Sequence, residues 1–145
     1  NEFETQTSLK IIIAAHPRID YKKRRNPYDG REIITGNTVF LVKHSSIVLA
    51  HGSLSLSFSV LYDKPVIIID SLKYSQDYRN FIKAVSSGLG SNIINISGKY
   101  SINPNKYVVD KIKYAQYIEQ YIKESGTPEK FVWENFCDYL DIIHV

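Results

Sequence analysis

The chain contains no methionine, only one cysteine and no apolar run long enough to cross a bilayer. Methionine is missing even at position 1, which predicts a piece excised from a longer protein. Cys137 alone cannot close an intrachain disulfide, so a disulfide-framed secreted fold is excluded and a reducing, cytoplasmic compartment is expected. A membrane helix needs about 20 consecutive apolar residues. Residues 1–8 are polar and unlike a signal peptide. The glycine-rich loops of dinucleotide and NTPase sites are absent, as is any His/Cys/Asp spacing suited to a metal. Neither a metal nor a bound cofactor is therefore expected. The net charge of +3 is too small to suggest non-specific nucleic-acid binding.

What is present, over 145 residues, is an ordinary globular balance of 43% apolar and 23% charged residues, enough for one domain with its own core. Four short apolar runs read as buried strands: 9–15, 46–51, 65–70 and 91–97, with a further short strand at 32–35. Pro17 ends the first, because proline cannot donate to a ladder. Between the runs lie helical patterns. Thr38 opens one through Lys43. Leu54, Phe58, Leu61 and Tyr62 mark a second. Ser75 caps a third, with a stripe of Tyr78, Phe81, Ile82 and Val85 ending near Gly88. Val108, Ile112, Ala115, Ile118 and Ile122 predict a long helix that Gly126 stops. Thr127-Pro128 then reads as an N-cap and first turn, with Val132, Phe136, Leu140 and Ile143 as the buried stripe of the last helix. Strands without polar alternation, separated by helices, predict an α/β domain: a small parallel sheet covered on both faces, Rossmann-like, ending in two C-terminal helices.

Ligands of open parallel sheets bind outside the carboxyl ends of the strands. The residues predicted there are His16-Pro17-Arg18, His51-Gly52-Ser53 with Ser55, and Asp70-Ser71. A glycine turn that opens a helix offers backbone N–H groups to an anion, to which the Ser53 and Ser55 hydroxyls can add. The plainer alternative is that Ser53 only caps the helix, and that His16 is a packed histidine. The basic run Lys22, Lys23, Arg24 and Arg25, with Arg18 and Arg31 nearby, is more often a solvated loop than a site. It can also draw anionic substrates or acidic lipid head groups, which would put the protein at the inner face of the membrane.

The order of these features, namely a strand ending in His16-Pro17-Arg18, then Gly30-Arg31, a helix from Thr38, the run from Ser46 to Ser53, a helix and Lys64-Pro65, resembles a known family. It is similar to the C-terminal, donor-binding half of two-domain (GT-B type) glycosyltransferases that build bacterial surface polysaccharides, including the capsule polysialyltransferases and teichoic-acid polymerases. The resemblance spans about residues 9–70. It implies that His16 and Pro17 match an element contacting donor phosphates and that Ser53 matches a second such element. Gly52 stands where that pattern often has another serine, with Ser55 as a substitute, and Lys64-Pro65 is structural. It further implies a nucleotide sugar as substrate and a glycan acceptor bound through the other half, which would also hold the general base. The fragment alone is then expected to be inactive. Two alternatives stay open: half of a sugar-nucleotide epimerase, and a non-enzymatic α/β interaction module.

Overall fold

The most deeply buried run of the chain, Val66 to Ile68, lies in the middle strand of a parallel sheet, and the rest is arranged around it. The computed structural model describes residues 2–19, 21, 25–53 and 55–143. After a short helix α1 (Glu2–Thr7) the strands β1 (Ile13–Ala15) and β2 (Ile33–Thr35) pair in parallel, Ile13 opposite Ile33. Helix α2 (Thr38–His44), β3 (Val48–Ala50), α3 (Leu56–Leu61), β4 (Val66–Asp70), α4 (Gln76–Leu89) and β5 (Asn92–Asn95) follow, then α5 (Lys111–Tyr121) and α6 (Val132–Ile143). The strands β3, β4 and β5 form a second parallel sheet in that order. The fold is α/β with parallel strands and helices on both faces, as expected. The sheet, however, comes in two pieces, without a ladder between β1–β2 and β3–β4–β5.

Alternation along β4 creates two cores. Val66 and Ile68 point to one face, where they meet Leu56 and Val60 of α3, Ile82 and Leu89 of α4, and Tyr114 of α5. Ile67 points to the other and packs with Phe3 of α1, Ile94 and Ile102. Leu9 and Ile11, expected in the first strand, lie before β1 and pack against this second cluster instead.

Several boundaries differ from the sequence expectation. Ser75 caps α4 as anticipated, its hydroxyl accepting from the Tyr78 N–H. The helix runs past Gly88, and the left-handed C-cap is Gly90, at φ +61°. Phe81, placed in the buried stripe, is half exposed. Val108, which precedes α5, and Ile112 within it are 76% and 73% exposed, whereas Tyr114 is buried. Asp110 caps this helix through the Lys113 N–H, and the Tyr114 hydroxyl donates to the Lys64 carbonyl at 2.8 Å. These two bonds set the rotation of α5, which turns Tyr114, Tyr117 and Ile118 inward. The helix ends at Tyr121, ahead of Gly126. Helix α6 starts at Val132 rather than at Thr127-Pro128, because the Glu134 carboxylate reaches back to the Phe131 N–H at 2.7 Å, half of a capping box. Of its expected stripe, Val132, Phe136 and Leu140 are all exposed, and the Ile143 side chain lies outside what is described. No helix among the described residues is long and apolar enough to cross a membrane.

Two outcomes test this architecture. A Cβ on Gly90 would lie 2.8 Å from Asp110 Cβ, in a backbone conformation that side chains rarely adopt. Gly90→Ala should lower stability by about 1–3 kcal/mol, read as a reduced urea midpoint at unchanged slope. Burial, with a smaller effect of Asp63, pushes the Tyr114 hydroxyl from 10.0 up to about 12. The unfolded chain therefore loses this proton first, and stability should fall as pH rises from 10 towards 12. Tyr114→Phe should lack that share of the alkaline loss when urea midpoints are compared across pH.

Candidate functional site

The three strand-end segments singled out by the sequence all stand where a parallel strand stops. His51-Gly52-Ser53 leaves β3, and Asp70-Ser71 closes β4 at the same end of the three-stranded sheet. His16-Pro17-Arg18 leaves β1, in the two-stranded sheet. No hydrogen bond or ring contact joins His16–Arg18 to His51–Ser55 among the described residues.

At the β3 end the backbone conformation favours glycine, and the rings of α4 also come close. Gly52 has φ +152°, and a Cβ there would sit 2.9 Å from both Phe81 Cε1 and Tyr78 Oη. The group that approaches this backbone is thus an aromatic pair of the chain itself. The His51 Nδ1 lies 2.8 Å from Tyr78 Oη, which donates to the His51 carbonyl at 3.3 Å. Both bonds are satisfied together when Nδ1–H donates to the hydroxyl and the hydroxyl donates to the carbonyl. In that neutral ring Nε2 carries a lone pair, which suits accepting a proton better than donating to a phosphate oxygen. Tyr74 stands edge-on to Tyr78 with centroids 5.1 Å apart, and Phe81 follows at 5.8 Å from Tyr78. These rings form a surface strip beside the turn. The sequence predicts Tyr78 and Phe81 in the buried stripe of α4 and does not single out Tyr74; Tyr74 and Tyr78 do pack against the core, and nothing in the sequence places them opposite Gly52.

Beyond the turn, the Ser53 and Ser55 hydroxyls are 2.8 Å apart, and Ser53 Oγ accepts from the Ser55 N–H at 3.2 Å. The expectation of a helix beginning at or beside Ser53 does not hold. Helix α3 starts at Leu56, Ser55 makes no side-chain cap bond, and the helix has only six residues. So short a helix carries a weak dipole, so the pair of hydroxyls becomes the principal polar feature. Leu54 lies outside the described residues.

At the β1 end, the His16 Nδ1 accepts from the Arg18 N–H at 3.2 Å and the Ile19 N–H bonds the His16 carbonyl. The ring proton of neutral His16 is therefore on Nε2, in an exposed position where it can donate. Pro17 and Arg18 are exposed beside it. Arg31, part of the same basic cluster in sequence, is an internal strut instead. It bonds Glu4 of α1 at 2.7 Å and the Tyr28 carbonyl at 3.1 Å. Lys22, Lys23 and Arg24, the proposed lipid contacts, lie outside the described residues. Arg25 is exposed.

Asp70 is committed to structure. Arg79 Nε and Nη2 grip its carboxylate at 2.9–3.1 Å, and the Ser71 N–H adds a bond of 2.8 Å. The Ser71 and Ser97 hydroxyls meet at 3.1 Å, tying β4 to the segment after β5. Among the described residues no group of His, Cys, Asp and Glu is arranged to hold a metal ion, and Cys137 is exposed.

No family model matches the chain, and no curated protein or solved structure is significantly similar to it.

The Arg79 bonds, reinforced by Ser71 and opposed by burial, hold the Asp70 carboxyl below its ordinary 3.8. The stability it contributes is present above about pH 4 and is lost as pH falls through the folded value. Asp70→Asn should flatten the acid side of the stability profile, while lowering stability at pH 7 because Arg79 loses its counter-charge. Thermal midpoints of both proteins between pH 2 and 7 read this directly.

Proposed function

We propose that the chain is the donor-binding half of a glycosyltransferase that transfers a sugar from a nucleotide-activated donor to a surface polysaccharide. The observation that carries this reading is the paired Ser53 and Ser55 hydroxyls, held 2.8 Å apart at the carboxyl end of a parallel strand. The ordered His16-Pro17-Arg18 and Lys64-Pro65 elements supplement it. In this scheme the serines turn their hydroxyls from each other to phosphate oxygens, and His16 Nε2–H and Arg18 donate to the same group. Charge that develops on the departing nucleotide phosphate is then neutralised by fixed donors, with no metal required. His51 takes a secondary role, because Tyr78 holds its Nδ1. The base that activates the acceptor belongs to the other half, so the isolated chain should not turn over a nucleotide sugar.

A second reading, a non-enzymatic interaction module, is favoured by α6, whose Trp133 and preceding Phe131 are 73% and 80% exposed. A soluble surface rarely leaves such a cluster bare without a partner for it.

Titration with UDP, CDP and CMP, followed by amide NMR shifts, separates the two. Shifts should gather at Gly52, Ser53, Ser55 and His16. Ser53→Ala should weaken binding by about 0.5–1.5 kcal/mol, one hydrogen bond, and His16→Ala by about 1.5–3 kcal/mol, since its partner is charged. Melting must be followed on the same samples, because Ser53→Ala also removes the bond to the Ser55 N–H. Shifts scattered elsewhere, or none at millimolar nucleotide, would leave the interaction module as the reading.

A further inference from the structure

The outer edge of β5 is a free strand edge that opens into a groove. The N–H of Ile96 bonds the Asp70 carbonyl, and Asp70 is paired with Asn95. Strand alternation therefore turns Asn92, Ile94 and Ile96 towards β4, and Ile93 and Asn95 turn their N–H and C=O groups outward. No strand among the described residues covers them, since β5 is last in the order β3-β4-β5, and neither backbone is bonded to another described residue on that side. Along this edge runs a cleft of about 730 Å³, lined by β5 and by the segment 99–108. Its charged lining residues are Lys99 and Lys106, with no acidic side chain present. Neither lysine has an ion-pair partner among the described residues. Exposed Ile93 and Val108 supply apolar contacts between the charges.

We propose that this edge is a docking strip for an extended acidic peptide segment of a partner protein. The peptide adds to the sheet beside β5. Its main chain pairs with the outward groups of Ile93 and Asn95, its carboxylates meet Lys99 and Lys106, and its apolar side chains cover Ile93 and Val108. A second copy of this chain fits worse, because edge-to-edge pairing would bring two Lys99/Lys106 sets into one groove with no acid to offset them. A nucleic acid would satisfy the lysines but has no main chain to extend the ladder. This inference is independent of the nucleotide site and stands or falls without it.

The test uses the whole chain and two short capped peptides, one alternating glutamate with valine and one alternating lysine with valine. Amide hydrogen exchange is followed residue by residue. The acidic peptide should slow exchange at Ile93 and Asn95, and the basic peptide should not. Reversing Lys99→Glu and Lys106→Glu together should weaken the acidic peptide by at least about tenfold and confer binding of the basic one. Ile93→Pro, which removes an outward-facing donor and the Ile93 side chain but no bond to β4, should also weaken binding while β4 pairing persists. Absence of protection with either peptide at millimolar concentration overturns the proposal and leaves the lysines as guards of a bare edge. Equal binding of the acidic peptide to the charge-reversed protein overturns it as well. So does protection of Ile93 and Asn95 that grows with protein concentration alone, which would identify a second copy as the occupant.

Discussion

The carboxylate of Asp70 and the guanidinium of Arg79 meet at the end of the most buried strand, and the ordering of the neighbouring segments depends on that meeting. A carboxylate at the end of β4 would be poorly solvated without a partner. Arg79 projects from the first turn of α4, so the bond that neutralises Asp70 also fixes where α4 begins over the sheet. Ile82 and Leu89 enter the core further along that helix, and Tyr78 meets His51 on its near side. One ion pair thereby couples the end of β4, the packing of α4 and the turn after β3. Removing only one of its partners leaves the other charge partly buried, which is the costly case.

The polar groups at the strand ends are largely satisfied by each other. Ser53 bonds Ser55, His16 bonds the backbone of Arg18, and His51 is paired with Tyr78. Under the proposed function a phosphate would exchange the mutual Ser53–Ser55 bond for its own, while the His16 Nε2–H, not used internally among the described residues, would donate without displacing any bond. A neutral sugar would gain little from such an exchange, whereas a phosphate strengthens each bond it takes over.

Some of this was legible in the sequence. The unbroken apolar run after Lys64-Pro65 could only be an interior strand, and Ser75 announced α4 because its hydroxyl replaces a missing backbone acceptor. The rotation of α5 was not legible. Counting Val108 and Ile112 as core assumes that tyrosine prefers the surface, whereas Tyr114 can be buried because the Lys64 carbonyl takes its hydroxyl proton. That acceptor is about fifty residues away, and no local pattern contains it. Helix α1 was missed because Phe3 is its one large apolar residue and its buried partners come from β4 and beyond. The positions of the three segments at strand ends were legible, but the surroundings of Gly52 were not. A glycine required by an approaching ligand and one required by Phe81 and Tyr78 look the same in one dimension.

Trp133 is the sole tryptophan, and it stands on α6, facing water and edge-on to Phe136, while the two cores contain tyrosine, phenylalanine and aliphatic side chains. The brightest intrinsic fluorophore is thus mounted on the helix least engaged with the sheets. With Trp133 73% exposed, its emission in the native chain should be close to that of a solvated indole and should change little on denaturation. An optical melting curve recorded at tryptophan wavelengths would report the state of one peripheral helix, while tyrosine absorbance and far-ultraviolet dichroism would follow the collapse of the sheets. Probes that disagree in this protein need not signal an intermediate; they can be looking at different parts of it.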